Sequence, residues 1–273
     1  MEISVIVPTY KPQAYFFECL ESLKAQNLLK ECFEVIIVLN GVKEPYFSNI
    51  KMYIDGNMSS YNISLLYTDV SGVSNARNLG IENAIGKYVT FIDDDDYISP
   101  AYLERMYAKA EMNTVVLCYP YFFNDGEPGI QLKYKMTEIY DKQNDTPCRI
   151  NSSVRSFFSG PCMKLIPMHF IAGIRFDTRL RNGEDTLFMF AISYNIDRIV
   201  FSDRNAIYYR RNRLGSAVNT KRSLKDIYKS NLIQVIEYTR YFLHKPFKYN
   251  WLFYCTRIAG ALNAIIRSKR NCK

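Results

Sequence analysis

Two nearly continuous apolar runs, "ISVIV" at residues 3–7 and "FEVIIVL" at residues 33–39, set the strongest limit on the fold. Both are short and rich in β-branched residues. Neither alternates as a strand with one wet face does, so each belongs in a sheet covered on both sides. Between them Phe16, Cys19, Leu20 and Leu23 recur at i, i+3, i+4 and i+7, the spacing of a helix with one apolar face. Strand, covering helix and strand make a βαβ unit, which implies parallel pairing.

The alternation continues along the chain. It predicts a third strand at 62–67, a helix at 74–85 ended by Gly86, a fourth strand at 88–92 and another at 115–121. Ser99 followed by Pro100 has the form of a helix start, with Ser99 as N-cap and Pro100 at the first helical position. Residues 123–152 lose all periodicity and read as a surface excursion. Then come a turn and helix at "RNGEDTLFMF", short strands at 198–201 and 206–209, and two helical segments. No internal repeat, low-complexity tract or apolar run of membrane-spanning length is present. The expected architecture is an α/β domain with a mostly parallel sheet over residues 1–218, followed by a helical extension over 219–273. Ligands of such sheets sit at the carboxyl ends of the strands, where "PTYK" and "DDDD" both lie.

Composition narrows the function classes. With 48% hydrophobic and 23% charged residues, disorder is excluded as the main state. "MEISVIVPTY" has neither a basic leader nor a long apolar one, so no signal peptide is expected and a cytoplasmic location is the default. The seven cysteines are scattered without a CxxC, and His169 and His244 stand apart, which argues against a zinc cage. A metal would have to be held by carboxylates. The net charge of +8 is uneven: residues 211–273 hold fourteen Lys and Arg against two acids, the mark of an anionic partner.

Four consecutive aspartates, Asp93 to Asp96, follow the fourth strand. Carboxylate oxygens are hard ligands suited to Mg2+ or Mn2+, and a loop offering two of them leaves other positions to water and diphosphate. An EF-hand is ruled out, because Tyr97 takes the third acidic position and no glycine follows it. A solvated acidic turn that caps the next helix is the alternative.

The order "ISVIVPTYK", "ECLESLKAQN", "FEVIIVLNG", "GVSNARNLGIENAIGKYVTFIDDDDYISPAYLE", "NGEDTLFMF" resembles glycosyltransferase family 2, the inverting enzymes of the GT-A fold. The likeness covers roughly residues 3–215. It implies a Rossmann-like layered α/β/α domain, a nucleotide-diphospho-sugar donor, a UDP-sugar first among them, and a glycan or lipid-linked acceptor. Mn2+ or Mg2+ is the implied cofactor, nucleic acid is not a partner, and bacterial surface-polysaccharide synthesis is the setting. A sugar-1-phosphate nucleotidyltransferase is a rival, although its Gly-rich loop is missing from "VPTYKPQAY". A non-catalytic nucleotide- or carbohydrate-binding module is the other.

Residue by residue, the resemblance places Pro8, Thr9 and Tyr10 beside the base. Asn40 stands where the family usually has a base-binding aspartate, with Leu39 replacing the acid before it. Arg77 has the fork to reach the nucleotide or a buried carboxylate. Asp95 and Asp93 are the implied metal ligands, Asp93 or Asp94 the ribose contact, and Asp96 a helix-side cap. Asp185 is the implied general base and Glu184 its neighbour for the acceptor; without the resemblance, Asp185 reads as a helix N-cap. Arg211, Arg213 and Ser216 are candidate diphosphate donors, or part of a solvated basic loop. Near the C-terminus, Trp251, Leu252, Cys255, Ile258, Ala259, Leu262, Ile265 and Ile266 recur at helical spacing. That stripe, flanked by basic residues, suits an anionic membrane surface at the inner face of the plasma membrane or packing on the protein itself.

Overall fold

The computed structural model describes residues 1–143, 146–151, 153–213 and 223–270. The first half runs β1 (Ile3–Thr9), α1 (Ala14–Lys24), β2 (Phe33–Asn40), α2 (Tyr46–Asn57), β3 (Ile63–Thr68), α3 (Val73–Asn83) and β4 (Tyr88–Phe91). It continues with β5 (Tyr97–Ile98), α4 (Tyr102–Ala108), β6 (Thr114–Leu117), β7 (Tyr119–Asn124) and α5 (Lys135–Tyr140). The second half holds β8 (Lys164–Pro167), α6 (Glu184–Ile192), β9 (Arg198–Phe201), β10 (Ile207–Asn212), α7 (Leu224–His244) and α8 (Trp251–Arg270).

Seven strands form the main sheet in the order β3-β2-β1-β4-β8-β6-β9. All pairings are parallel except those of β8, which runs against both β4 and β6. Every residue of β1 and β2 is buried, as two covered faces demand. Ile3, Val5 and Val7 pack on one face with Phe16, Leu20 and Leu23 of α1, while Ile6 faces the opposite core with Ala76 of α3 and Phe188 of α6. Each such aliphatic side chain stabilises the fold by about 1.5–3 kcal/mol, so the strand ends that carry the site rest on a stiff base. Gly80 lets α3 press close: a Cβ there would fall 2.5 Å from Ile6 Cγ2.

Several expectations are corrected. The strand foreseen at 115–121 is two strands broken at Cys118, with β6 in the main sheet and β7 in a three-stranded sheet ordered β5-β10-β7. Ser99 caps nothing: its hydroxyl donates to Asn205 O at 2.5 Å and accepts from Ile207 N at 2.9 Å, and the helix starts later, at Tyr102. Gly86 does not end α3, whose C-cap is Ala84; its role is close approach, since a Cβ there would meet Ser4 N at 2.6 Å. The excursion at 123–152 contains α5, and α2 and β8 were not foreseen.

The expected division at 218/219 lies outside the described residues. Helices α7 and α8 pack on α6. Tyr238 donates to Thr186 Oγ1 at 2.9 Å, Tyr249 donates to Ala191 O at 3.0 Å, and Phe190 stacks on Tyr249 with centroids 4.9 Å apart. The inward side of α8 is Phe253, Arg257 and Ala261. Of the stripe read from the sequence, Trp251, Leu252, Cys255, Ala259, Leu262 and Ile266 are exposed, while Ile258 and Ile265 are half-buried. Among the described residues, no helix is long and apolar enough to cross a membrane.

Candidate active site

Strand order reverses between β1 and β4, since β2 and β3 lie on one side of β1 and β4 on the other. The crevice beyond their carboxyl ends is where this class of sheet binds ligands. Thr9 closes β1 there and donates through Oγ1 to Asp94 Oδ2 at 2.5 Å, joining the two strand ends. Burial pushes the Asp94 carboxyl up to about 7, against the Thr9 hydrogen bond. Asn40, at the end of β2, is buried, donates to Thr9 O at 2.7 Å and accepts from Gly72 N at 2.9 Å. Its amide thus ties three segments together, using one donor and one acceptor of its set. Tyr10 is half-exposed at the rim, and Pro8 is buried within β1.

Arg77 brings the two halves of the site together. It projects from α3, its side chain only 4% exposed, and donates through Nη2 to Asp93 Oδ1 at 2.8 Å and through Nη1 to Asp185 Oδ1 at 2.6 Å. Its guanidinium lies 5.3 Å from the Phe176 ring centroid. Burial raises the Asp185 carboxyl above its usual range; Arg77 opposes that shift and Asp93 adds to it. Asp185 occupies the first turn of α6 and does not cap it. The N-cap is Gly183, with φ of 84° and so little room that a Cβ would meet Gln234 at 2.4 Å. Glu184 is buried one residue before Asp185.

The other aspartates are held by the strand β10 side. Asp95 accepts from Arg213 Nε at 2.7 Å through Oδ2 and from Arg211 Nε at 2.9 Å through its carbonyl. Burial raises the Asp95 carboxyl, with Asp93 adding and Arg213 opposing. Asp96 is not a helix cap: it is buried and accepts from Arg211 N at 2.8 Å, because the chain turns into β5 before any helix begins. Arg211 also pairs with Asp125 at 2.7 Å and with Glu18, so its guanidinium is engaged by protein acceptors. Arg213 lies over Tyr15, 4.5 Å from its centroid. Ser216 lies outside the described residues.

Sequence reasoning missed Lys164. It is 1% exposed at the start of β8, and its Nζ donates to Gly160 O and Cys162 O, both at 2.6 Å. Burial lowers its ammonium to about 8, while Asp185 pulls it up. A lysine opening an otherwise apolar "KLIP" was the available signal.

A crevice at a strand-order reversal, lined by clustered carboxylates and bridged by one arginine, defines an α/β protein with an acidic ligand crevice at its strand ends. The particular family is identified by its model: residues 4–172 match "Glycosyl transferase family 2", and the chain belongs to that family and has its GT-A fold. Among curated relatives, the poly(ribitol-phosphate) beta-N-acetylglucosaminyltransferase TarS of Staphylococcus aureus is 28% identical over 223 residues, covering 81% of this chain and 37% of TarS. The minor teichoic acid biosynthesis protein GgaB of Bacillus subtilis is 26% identical over 241 residues, covering 85% of this chain and 25% of GgaB. The chain thus spans well under half the length of either relative. The crystal structure of S. aureus TarS 1-349 with UDP-GlcNAc superposes with a TM-score of 0.76 at 25% identity, over 97% of this chain and 72% of that one. The mannosyltransferase PcManGT of Pyrobaculum calidifontis, solved with GDP-Man and Mn2+, shares the fold at a TM-score of 0.59 and 14% identity, over 98% of this chain and 75% of that one.

Proposed function

We propose that the chain is an inverting glycosyltransferase that moves a sugar from a UDP-sugar to a hydroxyl of a glycan or lipid-linked acceptor during surface-polymer synthesis. The observation that carries this is the Arg77 bridge, which holds Asp185 beside the carboxylates at the end of β4. Inverting transfer is an in-line displacement that needs a base near the donor's anomeric carbon, on the side away from the leaving group. Asp185 is that base. Its oxygen, held by Arg77 and made more basic by burial, takes the proton of the acceptor hydroxyl. The TarS complex with UDP-GlcNAc supports a uridine donor.

Asp95 and Asp93 fit Mg2+ or Mn2+ by their hard oxygen donors. Among the described residues no three candidate ligands cluster closely enough to hold an ion, so the diphosphate and water would complete its shell. When bound, the cation would neutralise charge on the leaving diphosphate. Thermal shift tests donor and metal together: UDP and UDP-GlcNAc should raise the melting temperature more with Mn2+ than without it. Asp95→Ala should abolish the Mn2+-dependent part. A Mn2+ response unchanged by that substitution would remove Asp95 from the metal assignment, and no response to any uridine nucleotide would sink the donor reading.

The outer faces of α7 and α8 are proposed to rest on an anionic membrane. Leu232, Ile236, Trp251, Leu262 and Ile266 are exposed there, and exposed Lys225, Lys229, Arg240 and Arg267 lie on the same helices. Near an acidic leaflet each basic residue contributes about 1 kcal/mol, so several act together. The full chain should sediment with phosphatidylglycerol vesicles at low salt and not with phosphatidylcholine vesicles. Equal recovery with both would exclude the electrostatic docking.

A further inference from the structure

Beside Asp185 lies a cavity of about 320 Å³ that the donor site does not use, walled by the start of α6, the turn at Arg155–Ser159, and the helices α7 and α8. Its lining includes Glu184, Asp185, Asn231, Gln234, Arg155 and Arg257. Its cations differ from those of the donor crevice. Arg77, Arg211 and Arg213 each meet a carboxylate, whereas neither Arg155 nor Arg257 forms an ion pair with one among the described residues.

Arg257 is 5% exposed, donates through Nη2 to Phe158 O, and lies 4.6 Å from the Phe253 ring centroid. Its Nε is buried with no hydrogen-bond partner. Arg155 donates through Nε to Thr256 Oγ1 at 2.9 Å and through Nη2 to Thr256 O at 3.1 Å, so all its acceptors are neutral. Burial, opposed by Tyr238 and helped by the neighbouring Arg155, lowers the Arg257 guanidinium to about 10. Two guanidiniums brought to one cavity and held by neutral groups are costly unless an anion joins them. Asn231 and Gln234 add amides to the lining, each already bonded within the protein: Asn231 donates to Ile227 O at 2.7 Å and Gln234 accepts from the Tyr238 hydroxyl at 3.4 Å.

We infer that this cavity is the acceptor subsite, and that Arg155 and Arg257 there read an oxoanion carried by a polyhydroxyl acceptor close to its reacting hydroxyl. The inference rests on the assignment of Asp185 as base. A phosphate and a sugar carboxylate share the required chemistry, because a guanidinium fork bonds either with two parallel hydrogen bonds. Their source is separated by experiment.

The probes are sn-glycerol 3-phosphate, D-glucuronate and neutral glycerol, titrated into the full chain by calorimetry, with UDP titrated in parallel. At least one anionic probe should bind saturably and glycerol should not. Arg257→Gln and Arg155→Gln should each weaken that probe about tenfold or more while leaving UDP affinity unchanged. Lys51→Gln with Lys109→Gln, both exposed and on the α1–α4 half of the chain, should leave both affinities alone. Preference for glycerol 3-phosphate assigns a phosphate-bearing acceptor, and preference for glucuronate a uronate. If neither anion binds, or if both arginine variants bind it as the native chain does, the inference is overturned. Arg257→Lys, which retains charge and loses the fork, serves if the glutamine variant is not folded. Failure of UDP to bind overturns the donor reading and leaves the anion result to stand alone.

Discussion

The Asp185→Asn variant should bind UDP as the native chain does and turn over at least about 10²-fold more slowly, the scale of a lost general base. Asparagine keeps the shape and one carbonyl oxygen for Arg77 Nη1, so the bridge to Asp93 persists and the fold is preserved. What disappears is the ability to take a proton. The native enzyme should also lose activity on acidification at a pH above the ordinary aspartate value of about 3.9, because burial raises the Asp185 carboxyl. The base works when ionised, so activity rises through that raised pKa as pH increases. Steady-state rates across pH check both expectations. Comparable turnover in the variant would place the base elsewhere.

Arg77→Met should have the largest effect on stability. It leaves the Asp185 carboxylate facing a buried apolar chain, and stripping one partner from a buried pair costs about 3–5 kcal/mol. Asp93 contributes less to that figure, since its side chain is 41% exposed and solvent screens the interaction. The loss should therefore fall toward the lower end of the range. Arg77→Lys is the sharper test of the bridge: a single ammonium lacks the fork that reaches two carboxylates at once. Denaturant unfolding and turnover should both suffer in the lysine variant. Native-like values for both would show that one point charge suffices.

Much of the fold was legible because burial writes itself into residue pattern. β1, α1 and β2 were readable where every apolar position faces a core. Helix α2 was not, since Ile50 is its only buried residue and leaves no stripe to detect. β8 begins with a lysine and ends with a proline, which hides a strand whose neighbours are set by topology alone. The candidate site divides in the same way. The aspartate run and the Glu-Asp pair stand out by composition, but nothing local tells Arg77 that its partners are Asp93 and Asp185. α8 presents the converse problem: the conspicuous apolar residues stay outside, and the inward face carries an arginine.

The bridge also has a history in time. Arg77 and Asp93 are 16 residues apart in the chain, whereas Arg77 and Asp185 are 108 apart. Closing the longer loop costs only roughly 2 kcal/mol more, because the entropy grows with the logarithm of length. On the ribosome, however, the separation is a delay. Residues 77 and 93 emerge well before residue 185 has been made, but a domain generally folds as a unit, so the bridge closes only when α6 arrives. That arrival both covers the core around Phe188 and gives Arg77 its second carboxylate.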